Sequence, residues 1–192
     1  SYLVNYRYST LELMDNLGIL DFGGVPRYQD ASFKVNLPTN KYGNFSIFGL
    51  GGKSGISEIQ ESIISDTVTV TGRAEVRDAL GVIGVNHNYM LNKNSYVHSY
   101  ISISGTKNTI DDDEKDLDTD IYWDYYTQDF SNTTVRMSTS YNQKINRRNT
   151  FNTGVIYSIM KYNMHSRLNT DNTVPVDYIK ASGKSSMIQG YG

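Results

Sequence analysis

The residues best suited to chemistry form an acidic run between positions 111 and 120, Asp-Asp-Asp-Glu-Lys-Asp-Leu-Asp-Thr-Asp. Carboxylates are hard oxygen ligands, so Asp111, Asp113 and Asp116 are weak candidates for holding Ca²⁺. The run lacks the glycine at position six and the glutamate at position twelve of an EF-hand loop. We therefore interpret it as a solvated, self-repelling loop tip. An intermediate hypothesis is that it shares divalent cations with lipopolysaccharide phosphates.

No other set of residues predicts catalysis or a cofactor. The histidines His87, His98 and His165 have no ligand-like spacing, and the chain has no Gly-x-Ser-x-Gly elbow and no cysteine. The glycines at 49, 51 and 52 are not followed by the Lys-Ser/Thr pair of a phosphate loop. We expect a protein that is not an enzyme and that holds no cofactor and no metal.

Four aromatic residues stand close together near the start of a long strand pattern. Tyr122, Trp123, Tyr125 and Tyr126 fit the amphipathic girdle found where a membrane protein meets the interface. The alternative is a stacking surface for a sugar or an aromatic ligand. We favour the girdle.

The elements that position these residues are strands, as the stretch 132–142 shows most clearly. Successive side chains of a strand point to opposite faces. Thr133, Val135, Met137, Thr139 and Tyr141 therefore share one face, whereas the residues between them, which include Arg136 and Ser138, are polar. One apolar and one polar face suit a wall between lipid and water.

The same pattern recurs along the chain and predicts eight strands, with two short helices at 10–17 and 57–64. The strands are expected near 1–9, 28–37, 44–52, 79–92, 95–106, 121–142, 149–164 and 185–192. Short connections at 38–43, 92–94 and 143–148 should lie on one rim, and long loops at 53–78, 107–120 and 165–184 on the other. This segregation predicts an all-β fold, an antiparallel up-and-down transmembrane β-barrel wall.

Composition supports this interpretation. Only 38% of residues are hydrophobic, 16 are tyrosines, and the net charge of −2 gives no sign of a nucleic-acid partner. No apolar run reaches the roughly 20 residues of a membrane helix. Because the chain starts and stops within apparent strands, whose open edges are a liability, we expect it to be part of something larger.

Several strand motifs resemble those of TonB-dependent outer-membrane receptors of the Bacteroidetes type, and the resemblance extends over essentially the whole chain. The motifs are Ser-Tyr-Leu-Val-Asn-Tyr-Arg-Tyr-Ser-Thr at 1–10, the stretches 28–39 and 43–52, Gly-Val-Asn-His-Asn-Tyr at 84–89 and Ile-Gln-Gly-Tyr at 188–191. The resemblance implies a barrel of 22 strands that encloses a plug and takes up a scarce nutrient such as a glycan, a metal chelate or a peptide. Residues 1–192 would form part of that one barrel domain.

The resemblance also implies partners. The plug and the N-terminal domains, with the segment that contacts TonB, would lie outside this chain, and some relatives work with a surface lipoprotein. Arg7, Lys34, Asn86 and Arg136 are candidates to face the lumen and contact the plug. The location would be the bacterial outer membrane, in contact with its lipid and lipopolysaccharide.

Two alternatives remain open. The first is a barrel without energised import: a passive porin, or a structural or secretion-associated outer-membrane component. The second is a soluble β-rich module for binding or adhesion.

Overall fold

The computed structural model describes residues 1–9, 26–39, 41–64, 67–170 and 173–192, and within these ranges the regular structure is all β. The eight strands are β1 (Tyr2–Tyr8), β2 (Arg27–Thr39), β3 (Gly43–Ile64), β4 (Thr67–Asn92), β5 (Ser95–Lys115), β6 (Tyr122–Lys144), β7 (Thr150–Leu168) and β8 (Val176–Tyr191). The helix predicted at 10–17 lies outside the described residues.

The strands form one antiparallel sheet in sequence order, from β1 at one edge to β8 at the other. Each strand pairs only with its neighbours in sequence, so the sheet is an up-and-down meander. The described residues of the short connections, 41–42, 93–94 and 145–149, consequently lie at one end of the sheet, as predicted. Strands β1 and β8 are not bonded to each other, so the sheet is open, which was also predicted.

The prediction of long loops at the other end of the sheet is largely wrong. Residues 53–64 and 67–78 continue β3 and β4 as paired strands, so the helix expected at 57–64 is also strand. The predicted loops at 107–120 and 165–184 shrink to 116–121 and 169–175. Polar residues led us to expect loops, but the backbone pairing between neighbouring strands continues through these residues.

Side chains of the turn residues cap the short connections. The Thr39 hydroxyl accepts a bond from the Tyr42 amide at 3.2 Å, and Gly43 takes a φ of 82°, a conformation that costs glycine little. In the next turn the Asn92 side chain accepts from the Asn94 amide at 2.8 Å. Asn146 accepts from the amides two and three residues on, each at 2.9 Å. These asparagines act as turn formers by replacing a backbone acceptor.

Aromatic side chains cover glycines on the neighbouring strand at four places. The cross-strand pairs are Phe33 with Gly49, Phe48 with Gly84, Tyr162 with Gly183 and Tyr191 with Gly154. Such pairs fill the space above a glycine and help to fix the register.

The described part of the sheet has no second layer against which to bury a core. Its most fully buried side chains are serines, whereas large apolar side chains such as Ile83, Ile103 and Ile188 are 50%, 47% and 74% exposed. An apolar surface of this kind requires another apolar phase or a partner.

Candidate functional site

An apolar belt crosses one face of the sheet beside the short turns. Directly paired residues lie on the same face, so the pairings define rows that run across the strands. We define the belt by two such rows: Tyr2, Val35, Ile47, Val85, Ile101, Met137, Tyr157 and Ile188; and Val4, Phe33, Gly49, Ile83, Ile103, Val135 and Ile159. The shared face predicted for Val135, Met137 and Tyr141 is confirmed.

Aromatic residues border the belt on the side of the short turns. Phe45 and His87 stack with ring centroids 4.3 Å apart, and Tyr89 lies next along the strand with its centroid 6.2 Å from that of His87. Tyr141 and Phe151 lie at the same end on β6 and β7 and face the same side. The rings of His87, Tyr89 and Tyr141 are amphipathic, which suits the edge of an apolar zone.

Beyond its other border the belt gives way to charge on the same face. A row containing Gly81, Gly105 and Thr133 closes the belt. The aromatic border, the belt and this closing row together extend about nine residues along a central strand, from Val97 to Gly105. The next rows form what we call the charged extension. It contains Lys53, Arg73, Glu75, Arg77, Lys107, Asp111, Asp113, Asp129, His165, Arg167, Asp177 and Lys180.

Ion pairs between strands hold the charged extension together. Arg73 meets Asp113 at 2.7 Å, Arg77 meets Asp111, and Lys107 meets Asp129 at 2.7 Å. Farther along, Asp177 accepts from His165 at 2.8 Å and from Lys180 at 3.0 Å. Opposite charges on paired strands stabilise the pairing. The sequence carried a signal for this extension in β4, where charges of opposite sign alternate with neutral residues from Arg73 to Arg77.

The opposite face, which we call the polar face, holds the four residues predicted to line a lumen. Lys34 and Arg136 lie in the same cross-strand row, Asn86 is one row away, and Arg7 lies on this face of β1. Ser138 also lies on this face, as predicted.

Three of these four residues have polar partners within the sheet. The Arg7 guanidinium donates to both Asp30 carboxylate oxygens at 3.0 Å. Arg136 donates to the buried Ser158 hydroxyl at 3.3 Å. Asn86 lies 3.4 Å from Ser46. Contact with a plug stays a prediction for all four.

The polar face is less uniformly polar than the alternation in β6 suggests. Phe48, Leu50, Leu80 and Val82 lie on it in β3 and β4. These strands are apolar on both faces over that stretch.

The acidic run divides between the end of β5 and the turn that follows. Asp111 and Asp113 are paired with arginines of β4. The Asp116 carboxylate accepts from the amides of Asp118 at 2.8 Å and Thr119 at 3.0 Å, and these bonds, with that of Thr119 the larger influence, lower its pKa. Among the described residues no group of three or more His, Asp and Glu side chains is arranged to hold a metal ion.

The structure separates the four clustered aromatics. Tyr122 lies on the same face as the belt, under the Arg73 guanidinium at 4.8 Å from the ring centroid. Trp123 and Tyr126 lie on the polar face, and Tyr125 is the extra residue of a bulge. Tyr122 is about 35 Å along the strand from the end of the belt. This position does not favour a girdle, and ligand stacking stays a prediction.

The three histidines are far apart in the sheet. The His87 ring nitrogen lies 2.7 Å from the Tyr42 carbonyl oxygen, and His165 pairs with Asp177. His98 lies on the polar face of β5, with its ring tilted toward that of Tyr100 at 6.2 Å.

In the described part of the chain we find no helix whose length and apolarity would let it cross a bilayer. Comparison with known proteins gives no family assignment: no protein family, no curated protein and no solved structure matches this chain.

Proposed function

We propose that this chain is part of the wall of an outer-membrane β-barrel, and that the barrel is a TonB-dependent receptor for a scarce nutrient. The observation that carries the proposal is the apolar belt on one face, which together with its aromatic border and its closing row extends about nine residues along the central strands. That length suits a tilted strand that crosses the hydrocarbon region. The aromatic border and the abrupt change to charge on the same face support this proposal, because the outer surface of a barrel changes from apolar to polar where the strands leave the lipid.

The open sheet edges support a barrel larger than the eight strands. Unpaired backbone groups in hydrocarbon cost several kcal/mol each, so a wall in lipid must be closed by further strands. In this arrangement the belt faces lipid and the polar face lines the lumen. Lys34 and Arg136 then contribute cations to the lumen in one cross-strand row, where carboxylates of a plug would stabilise them.

Single cysteines test the lipid-facing assignment, because the natural chain has none. Ile103→Cys places a thiol on the belt, and Ser104→Cys, its neighbour in β5, places one on the polar face. In isolated outer membranes the first should react only with a lipid-soluble maleimide, and the second with a small water-soluble one. Equal reaction of both with the water-soluble reagent would contradict a membrane wall and favour the soluble adhesion module.

A binding assay separates an energised receptor from a passive barrel. The intact protein should bind the purified C-terminal domain of TonB in detergent, with a lipid-facing variant such as Ile103→Cys as a control that retains binding. An intact barrel that passes the cysteine test but does not bind TonB would be a porin or a structural component.

A further inference from the structure

We propose that Lys161 and Lys184 bind a phosphate group of an outer-leaflet lipid at the outer border of the belt. This inference rests on the proposed membrane location and names a lipid site within it. Lys161 in β7 and Lys184 in β8 are directly paired across the two strands, and both side chains are exposed. Like charges directly opposite each other destabilise a strand pair, so an anion bound by both ammonium groups would stabilise this pair.

The surrounding residues do not supply that anion. The nearest neighbours on this face are Thr133 across β6, Asn163 and Ser182 in the next row outward, and Ile159 and Ser186 in the next row inward. None is acidic. Among the described residues, neither lysine has a carboxylate within ion-pair distance.

Most other cations of this face are arranged differently. Lys53 and Arg167 also have no ion pair among the described residues, but no cation is paired with them across the strands. Arg73, Arg77, Lys107 and Lys180, which lie farther from the belt, each have a carboxylate partner. The charge on these residues is thus balanced within the sheet. The border row differs, because Lys161 and Lys184 face each other there. Ile159 is the next residue inward from Lys161 on this face, and Ser186 separates Lys184 from Ile188.

The position of the pair identifies the anion as a lipid phosphate. The row lies at the end of the belt away from the short turns, which is the outer-leaflet side in the proposed orientation. Phosphate groups of lipid head groups occupy this level, and lysine stems extend along apolar surface while the ammonium groups reach the head-group region. The hydroxyl of Thr133 and the amide of Asn163 add neutral donors on either side of the cations.

Binding of lipid A to the intact protein tests the site. The protein is reconstituted in phosphatidylcholine nanodiscs, and its affinity for labelled bisphosphorylated lipid A is measured. Each surface lysine near anionic lipid is worth about fivefold in affinity, so Lys161→Gln with Lys184→Gln should weaken binding about 25-fold. The control, Lys41→Gln with Lys93→Gln, removes the same charge at the opposite end of the strands and should leave the affinity unchanged.

A charge reversal keeps the test informative if the double variant is poorly folded. Lys161→Glu creates an opposite-charge pair with Lys184, so it should raise the thermal stability in pure phosphatidylcholine and abolish lipid A binding. Wild-type affinity in this variant or in the double glutamine variant would overturn the proposal, and would indicate that an adjoining strand supplies the counter-ion.

Two further outcomes would also overturn it. Equal binding of dephosphorylated lipid A would exclude the phosphate as the recognised group. Displacement of lipid A by inorganic phosphate at comparable concentration would indicate a free-anion site rather than a lipid site. Failure of the protein to enter nanodiscs at all is a different result, because it contradicts the proposed membrane location itself.

Discussion

At the residue scale, two glycines of β4 differ in the space that the neighbouring strands leave for a side chain. A Cβ added to Gly84 would lie 2.7 Å from the Phe48 ring and 2.9 Å from the Ile101 carbonyl oxygen, whereas at Gly81 the only close atom is the Leu50 carbonyl oxygen at 3.9 Å. Gly84→Ala should therefore destabilise the protein by about 1–3 kcal/mol through overpacking. Gly81→Ala should be nearly neutral. The midpoint of urea unfolding measures both, and equal midpoints would contradict the contact.

The two faces of β6 predict opposite responses to a new charge. Val135 lies in the belt and Ser138 on the polar face. Val135→Arg should cost about 2–4 kcal/mol if the belt lies at the membrane midplane. Ser138→Arg, the matched control on the same strand, should be mild if the lumen leaves room. Folding of the intact protein into lipid vesicles, followed by gel mobility, gives the comparison. Equal tolerance would mean that neither face meets lipid.

The turn after β5 should respond to acid. The amides of Thr119 and Asp118 hold the pKa of Asp116 below its ordinary value, which lies near 4. A depressed pKa in the folded state means that the stabilisation is complete above the ordinary value and is lost as the pH falls through the folded value. Hydrogen exchange at the two amides, corrected for the intrinsic pH dependence, should lose protection only below about pH 4. Asp116→Ala should remove that protection at neutral pH, whereas Asp118→Ala should not; protection of both amides in Asp116→Ala would contradict the capping role.

At the scale of the elements, ion pairs extend β4, β5 and β6 beyond the belt. Exposed pairs such as Arg73–Asp113 and Lys107–Asp129 contribute little singly and are screened by salt. About 1 M NaCl should therefore speed amide hydrogen exchange several-fold in the outer half of β5, residues 107–114. Residues 97–103 of the same strand, which carry no ion pair, serve as the control. An equal response in both halves would show that the extension does not depend on charge.

The same extension explains how far the sequence alone could predict the elements. The alternation of apolar and polar residues, clearest in β1, β2 and β6, predicted the number of strands and the residues that share a face. This was possible because the two-residue period can be recognised within a single strand. Residues 53–78 were taken for a loop because they are polar on both faces. Their strand structure depends on pairing with distant residues, such as Arg73 with Asp113, forty positions away.

The candidate site was only partly predictable for a related reason. Arg7, Lys34, Asn86 and Arg136 share a face, as their positions within each strand required. The strand register decides that Lys161 lies opposite Lys184 and that Phe48 lies opposite Gly84. It is set by the pairing between strands and by the bulges. A single sequence does not specify it.

At the scale of the whole molecule, the belt and the open sheet edges together restrict the surroundings in which the sheet can be stable. In the proposed location the belt contacts lipid, and lipid does not tolerate unpaired backbone groups at the sheet edges. The outer edge of β8 alone runs from Val176 to Tyr191 without a neighbour in the sheet. Closing eight strands on themselves would satisfy the edges, but the structure does not pair β1 with β8.

Residues 1–192 expressed alone should therefore not form a stable monomer in membranes. We expect the isolated chain to aggregate or to remain sensitive to protease in detergent, because its edge strands would pair with other copies. The intact polypeptide should instead give a compact, protease-resistant form whose gel mobility changes on heating. The comparison uses the same detergent and the same protease for both. A heat-modifiable, protease-resistant monomer of residues 1–192 would show that the sheet can close without further strands, and would contradict its assignment to a larger barrel.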